Sequence, residues 1–556
     1  MKTLLRSIRV HVVAAMAFSL WTAELPVSGQ ISQPAAPASF RIAGTVIGTS
    51  GATLPQTRIT LRGVKDPQDV QSIVTGDDGR FSFQVKAGKY SLHGAKRGFI
   101  SSNYDQHDQY SSAIVTGAGV DAENLLFKLA PSASLSGRVL DESGGPVRGA
   151  RVILWREDHM TGVSRISRIR EDMADDEGFY EFMPLNAGTY FLSASAAPWY
   201  AVYPPTVDVE NLPPVPTVVD RGLDVVYPTT YYSGATDSDD ATPIALRGGD
   251  RPELELRLSP VPSIHVIFHT QPGTEGGGYP MPVLRKSAFD GFEPNRLQPH
   301  IQAISPNAFE LITAPGKYSV ELHRPTENAQ NVRIKEIDLT QNHQVIDTAS
   351  GEELCTVQAS VQITGEGRIP PELFLVLRGR KERRVTFHRV DSRGEVQFPN
   401  VAPGTYEVLA GSSTKAYSVV RVGVEGRGTS GHILKVPAGA SLNVSFTLAA
   451  GNESVEGVAT RGGKGLAGAM VVLVPKHPET NLDLFRRDQS DLDGSFSLQR
   501  VIPGTYTIVA IADGWDLDWS RPAVISRYAT QGQTVVVPEN SGLPITLPQP
   551  IEVQAK

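Results

Sequence analysis

Apolar and polar residues alternate with a period of two through most of this chain, the pattern of strands with one buried face. Phe81 and Phe83, Tyr180 and Phe182, Val396 and Phe398, and Phe496 and Leu498 are four such runs. Each follows an acidic-glycine turn: Asp78-Gly79, Asp176-Glu177-Gly178, Asp391 with Gly394, and Asp493-Gly494. An Asp/Gly pair supplies a positive-φ turn, which predicts two antiparallel strands joined there. No stretch of 12 or more residues carries a 3.6-residue period. The predicted fold class is all-β.

The runs repeat at a larger scale. Gly-Lys-Tyr or Gly-Thr-Tyr occurs at Gly88 to Tyr90, Gly188 to Tyr190, Gly316 to Tyr318, Gly404 to Tyr406 and Gly504 to Tyr506. The tyrosines lie 100, 128, 88 and 100 residues apart. A period of that size is a domain rather than a solenoid unit. In four copies the turn glycine precedes the tyrosine by 11, 12, 12 and 12 residues, a spacing that fixes strand, turn and strand in one register. A tyrosine after such a turn can lay its ring on the core edge while its hydroxyl bonds local backbone, the logic of the tyrosine corner in Greek-key sandwiches. The third copy keeps Phe309 and Leu311 but lacks the acidic-glycine turn.

Upstream, Gly137-Arg138-Val139 and Gly149-Ala150-Arg151-Val152 in the second copy are matched by Gly457-Val458 and Gly468-Ala469-Met470-Val471 in the fifth. This ensemble resembles the carboxypeptidase regulatory-like domain, a seven-stranded prealbumin-like sandwich that overlaps the Cna B-type and carbohydrate-binding-like sandwiches. The resemblance is closest in copies two and five, fainter in one and four, and faintest in three. It implies tandem Greek-key, prealbumin-like β-sandwiches of the kind found in multi-copy secreted bacterial proteins. It specifies a fold well and a function badly.

Pro/Gly/Ser-rich joints divide the chain into a leader at 30–39 and sandwiches at 40–130, 134–259, 262–350, 354–448 and 453–548. The joints are short, which predicts a semi-rigid rod. Residues 198–228 are Pro-rich and form either an ordered loop over copy two or a flexible insertion. The segments from Tyr231 to Leu258 and from Trp515 to Val537 read as strand-rich extensions. Residues 1–29 read as an export signal. Lys2, Arg6 and Arg9 precede an apolar stretch from Val10 to Trp21, then Val27-Ser28-Gly29 at a cleavage site before Gln30. The competing reading is an N-terminal membrane anchor, against which the apolar run is short for a span. Export places the protein in the periplasm, on the cell surface or in the medium, with no membrane span after cleavage.

Composition narrows the chemistry. The net charge is -7 and no basic cluster stands out, which argues against a nucleic-acid partner. One cysteine, Cys355, leaves no intrachain disulfide. It has no activating neighbour and reads as a structural thiol. His265 and His269 lie four apart on a predicted strand, too far apart along it to share a metal. No His-Glu-x-x-His and no Gly-x-Ser-x-Gly occurs. Gly426, Gly428 and Gly431 are followed by another strand-like run rather than the helix that a nucleotide cradle needs. Asp237, Asp239 and Asp240, and Asp488, Asp491 and Asp493, are oxygen clusters of a kind calcium uses, but the second set sits where the other copies have their turn. The expectation is a non-catalytic binding or spacer array with no cofactor and no metal.

Aromatics are the remaining candidates, in three groups: Trp199, Tyr200 and Tyr203; Tyr231 and Tyr232; and Trp515, Trp519 and Tyr528. Flat rings suit sugar stacking, so Trp515, Trp519 and Tyr528 are the candidate carbohydrate-binding residues. All three groups lie in extensions, where an aromatic commonly plugs a domain junction instead. The partner is then a polysaccharide or another envelope protein, and the alternative function is polysaccharide recognition in the service of secreted hydrolases.

Overall fold

The computed structural model describes residues 39–556 except 118, 205–219, 270–280, 293–300, 306–307, 324–331, 348–351, 366–367, 380–384, 425–426, 440 and 540–542. The export signal read at 1–29 lies outside the described residues. What is described is all-β, built of small sandwiches in tandem.

Five hydrophobic cores succeed one another along the chain. They are centred on Phe127 and Ile42, on Tyr180 and Leu135, on Phe268 and Val266, on Phe398 and Phe446, and on Leu498 and Ile508. We call the units around them modules one to five. The fifth core also takes in Ile551 and Val553, past residue 548.

One topology recurs in all five. The first strand of each module pairs antiparallel with the strand that precedes the tyrosine corner, as Phe40–Gly48 does with Arg80–Val85. The same first strand pairs parallel with a strand near the module's end, as with Leu125–Leu129. Module three follows the scheme although its turn motif has decayed, because Phe309 and Leu311 still bury one face of Ala308–Thr313 beside Ile264–His269. All six residues of Ala308–Thr313 are buried, and each large apolar side chain among them contributes about 1.5–3 kcal/mol.

The acidic-glycine turns differ from the sequence expectation in one respect. The strands they join do not pair with each other. Val70–Val74 belongs to the sheet of Arg58–Gly63 and Gly88–Ala95, whereas Arg80–Val85 belongs to the facing sheet with Phe40–Gly48. In modules one and two the turn is therefore an arch between sheets, and in modules four and five it joins two strands of one continuous sheet that do not pair with each other. Period-2 alternation reports only which face is buried, and both arms of an arch bury one. The glycine has two duties there. Gly79, Gly178, Gly394 and Gly494 have φ between 71° and 84°. Each carbonyl also accepts a bond from the first strand, from Val46, Val139, Val361 and Ala459 respectively. A Cβ at Gly178 would stand 2.5 Å from Val139 O, which excludes any other residue without movement.

The tyrosine corner is realised five times. The hydroxyls of Tyr90, Tyr190, Tyr318, Tyr406 and Tyr506 each donate to the carbonyl four residues earlier, at 3.1, 2.8, 2.9, 2.8 and 2.7 Å.

The expected rod is not found. Module five lies against modules one and two as well as beside module four, with bonds such as Lys89 to Asp491 and Ser520 N to Gly162 O. The segment from Trp515 to Val537 is not strand-rich throughout. It forms a 3-10 turn at Gly514–Asp516, an α-helix at Pro522–Ala529 and a strand at Gln533–Val537. Eight residues with Pro at the helix start are too short to register as a helical period.

Candidate functional site at the module junctions

The acidic-glycine turn of module five has been turned outward as a docking element. Leu492, at its tip, packs against the core of module one. Its N–H donates to Ala113 O at 3.0 Å. Asp491 accepts from Ala113 N at 2.8 Å and from Lys89 Nζ at 2.6 Å. Beside it, Gln489 reaches His107 Nδ1 at 3.1 Å and Ser112 Oγ at 3.0 Å.

Arg487 is the centre of this junction. Its side chain is 3% exposed, and Nη2 donates to Asp108 Oδ2 at 3.2 Å. The guanidinium lies over the rings of Trp519, Tyr110 and Trp515 at 4.7, 5.2 and 5.5 Å. A desolvated guanidinium among aromatic faces gains cation–π energy of about 2 kcal/mol. Trp515 also stacks on the His107 ring at 5.0 Å and 6°. Phe485 meets Trp519 edge-on at 5.6 Å. Against module two, Asp518 accepts from Ser164 N at 2.8 Å and lies 2.9 Å from His159 Nδ1.

The three carbohydrate candidates therefore face the chain's own residues. Trp519 is 8% exposed, Trp515 is half-buried between His107 and Arg487, and Tyr528 packs half-buried beside Ile525 and Trp519. Neither indole is left as an open platform, and the rings plug a junction. The Tyr231 ring is buried against Phe289. Tyr200 and Tyr227 both donate to Glu142, the second at 2.7 Å. Trp199 alone among the described tryptophans is open, at 88% exposed.

The remaining motifs resolve into local structure. Asp488, Asp491 and Asp493 point to three different partners: Ser497 N, the Lys89 ammonium and Ser495 N. Burial pushes the Asp488 carboxyl up to about 6. Asp237 caps a 3-10 turn by accepting from Asp239 N at 3.0 Å. No group of three or more His, Cys, Asp or Glu is placed to hold a metal among the described residues. Gly428 lies in a hairpin between Ala416–Val424 and Arg427–Ser430, with Gly426 outside the described residues. Cys355 is buried and its thiol is pushed up by desolvation.

The sequence reading missed the junction of modules two and three. A hairpin of Ser287–Ala288 and Gly291–Phe292 drives Phe289, at φ 47°, into module two. There its ring meets Phe191, Trp155 and Tyr231 at 4.9, 5.2 and 5.5 Å. Nearby, His265 is 2% exposed, with Glu310 Oε1 2.7 Å from Nδ1 and Asp224 Oδ2 3.0 Å from Nε2. Desolvation lowers this imidazole's pKa, but its bonds to Glu310 and Asp224 outweigh that and the net shift is upward. Asp224 belongs to the module-two extension, so the relay spans both units. An isolated histidine on a strand gives no sequence sign of carboxylates 41 and 45 residues away.

Between the same two modules lies a cleft of about 680 Å³, lined among others by Asp237, Asp239, Arg285, Lys286 and Lys317. A second cavity of about 310 Å³, bounded by Tyr110, Met160, Asp488 and Trp519, lies where modules one, two and five meet.

No described helix is long and apolar enough to cross a membrane. No curated protein matches the chain. Among solved structures, the TIE protein of Bacillus anthracis is 11% identical, with a TM-score of 0.17, over 75% of this chain and 76% of that one. A streptococcal ancillary pilin is 12% identical, with a TM-score of 0.20, over 52% and 99%. The minor pilin GBS52 of Streptococcus agalactiae is 12% identical, with a TM-score of 0.20, over 40% and 97%. Residues 41–123, within module one, match the model of the carboxypeptidase regulatory-like domain, the family that the repeat motifs resemble.

Proposed function

We propose that the chain is a non-catalytic binding and spacer array, exported from the cytoplasm, whose modules are held in one fixed arrangement. The docking of module five on module one carries this reading. Arg487, Asp491 and Leu492 join units nearly 400 residues apart in sequence through ion pairs, backbone bonds and packing together. A chain evolved only for reach would leave its ends apart; this one spends a turn and an aromatic cluster on closing. The fixed geometry presents inter-module clefts and exposed side chains such as Trp199 at set separations.

Small-angle scattering tests the closed arrangement. Five modules folded back on one another give a radius of gyration of about 30 Å, and five end to end about 50 Å, taking ~13 Å for each 100-residue unit. The larger value would remove the basis for a fixed platform. Turnover of a peptide or glycoside by the purified protein, above a blank, would overturn the non-catalytic reading. Cell fractionation checks export.

A second reading, polysaccharide recognition, draws support from the polar cleft between modules two and three, since ligand sites favour concavities at domain interfaces.

A further inference from the structure

We infer that the cleft between modules two and three takes an anionic oligosaccharide. This rests on the polysaccharide reading above and moves its site away from Trp515, Trp519 and Tyr528. The volume of about 680 Å³ lies within the range of about 300–1,000 Å³ usual for small-molecule sites. Its walls come from different modules and carry opposite charge. Module three contributes Arg285, Lys286 and Lys317, and module two contributes Asp237 and Asp239. Asp338, also in module three, stands opposite Lys317 in the strand register and shares the lining. Lys286 bridges the two walls by donating to Thr236 O at 2.7 Å.

The chemistry of the walls selects the ligand. Guanidinium and ammonium groups bind carboxylate or sulfate through charge-assisted hydrogen bonds. Aspartate carboxylates across the gap accept hydrogen bonds from hydroxyls. A sugar chain with acidic substituents offers both at once. A nucleotide would want an open ring for its base, but Phe289 and Tyr318 are each only 8% exposed in the lining. Ser319, 7% exposed in the same wall, has a hydroxyl with no hydrogen-bond partner among the described residues. Such a group is completed by a ligand or a water. Phe289, in the lining, is packed into module two against Phe191 and Trp155, which fixes one side of the cleft.

The test is calorimetry on the full mature chain with three probes: a galacturonate hexamer, a chondroitin sulfate hexamer and neutral cellohexaose. At least one acidic probe should bind, with affinity falling as salt rises, and cellohexaose should bind at least tenfold more weakly. Lys317→Glu should weaken the acidic probe at least tenfold, Asp237→Asn/Asp239→Asn at least threefold, and Trp519→Ala not at all. Binding of the uronate alone or the sulfated sugar alone names the source of the anion. Near-ultraviolet circular dichroism confirms that each variant is folded. Equal binding of cellohexaose with indifference to Lys317→Glu overturns the cleft assignment and leaves polysaccharide recognition standing. Equal displacement by a polyglutamate peptide overturns the sugar. Silence from all three probes and from a wider glycan array overturns both.

Discussion

Asp491 uses both carboxylate oxygens on module one, one at 2.6 Å from Lys89 Nζ and the other at 2.8 Å from Ala113 N. Its own N–H donates to Ser495 O at 2.7 Å, which holds the turn on which it stands. The same residue thus completes a turn within module five and a lock onto module one. Asp491→Ala removes two charge-assisted bonds, each worth about 1.5–3 kcal/mol at most, and less here because Lys89 is 36% exposed. Amide hydrogen exchange reads the result locally. Protection at Ala113 and Leu492 should fall about tenfold or more, while Val471 and Ile508 in the core of module five keep theirs. Unchanged protection at Ala113 would mean that the lock does not form in solution.

Arg487 should be the costliest single side chain to remove at this junction. Arg487→Ala leaves Asp108 without its cation and takes the centre out of an aromatic cluster, a loss of about 2–4 kcal/mol. Trp515 and Trp519 then lose cover, and their fluorescence should shift to the red. Arg487→Lys should restore little, because an ammonium lacks the planar fork that stacks on three rings while bonding a carboxylate. A lysine variant indistinguishable from the parent would show that charge alone serves.

The repeat was legible because its physics is local. A positive-φ glycine, alternation over one strand and a tyrosine four residues past its acceptor are all written within about 15 residues of each other, so all five corners could be placed. The pairing of the strands was less legible, since Phe81 and Phe83 alternate identically in a hairpin and in an arch. The junctions were hardest. Trp515 carries no mark in its own segment that its ring lies on His107, and nothing around His265 announces Glu310 or Asp224. Contacts between modules depend on two surfaces that a single sequence encodes far apart. The one usable hint was position: the aromatics fall in extensions outside the repeat, where junction residues belong.

Tyrosine corners should differ in worth according to burial. Tyr506 is almost fully buried, donates to Ile502 O at 2.7 Å, and has its hydroxyl pushed up to about 12 chiefly by desolvation. Tyr506→Phe leaves that carbonyl unmatched in the core and should cost about 1–2 kcal/mol. Tyr90 donates to Lys86 O at a longer 3.1 Å from a partly buried site, so Tyr90→Phe should cost less than half as much. Differential scanning calorimetry, following the transition that each substitution lowers, checks the order. Equal shifts would show that the corner bond contributes the same regardless of burial.

His265 gives the array a pH dependence with a definite sign. The groups against the imidazole are Glu310, Asp224 and the His343 ring; Ser263 donates to the same Asp224, and Asn342 accepts from the backbone N–H of His265. Burial alone lowers its pKa, but the bonds to Glu310 and Asp224 and their charges raise it above the ordinary 6.5. A group whose folded pKa lies above its unfolded value binds its proton more tightly when folded. Its contribution is fully present below pH 6.5 and is lost as pH climbs through the folded value. Module three, and its tie to the strand Val225–Val226 beside Asp224, should therefore weaken on the alkaline side, the opposite of a buried neutral histidine. His265→Gln keeps much of the shape and removes the proton, so its melting temperature should stay flat where the parent's falls. An imidazole titration followed by nuclear magnetic resonance places the midpoint directly. A midpoint below 6.5 in the folded protein would reverse the sign and with it the reading of His265 as a cation clamped between two carboxylates.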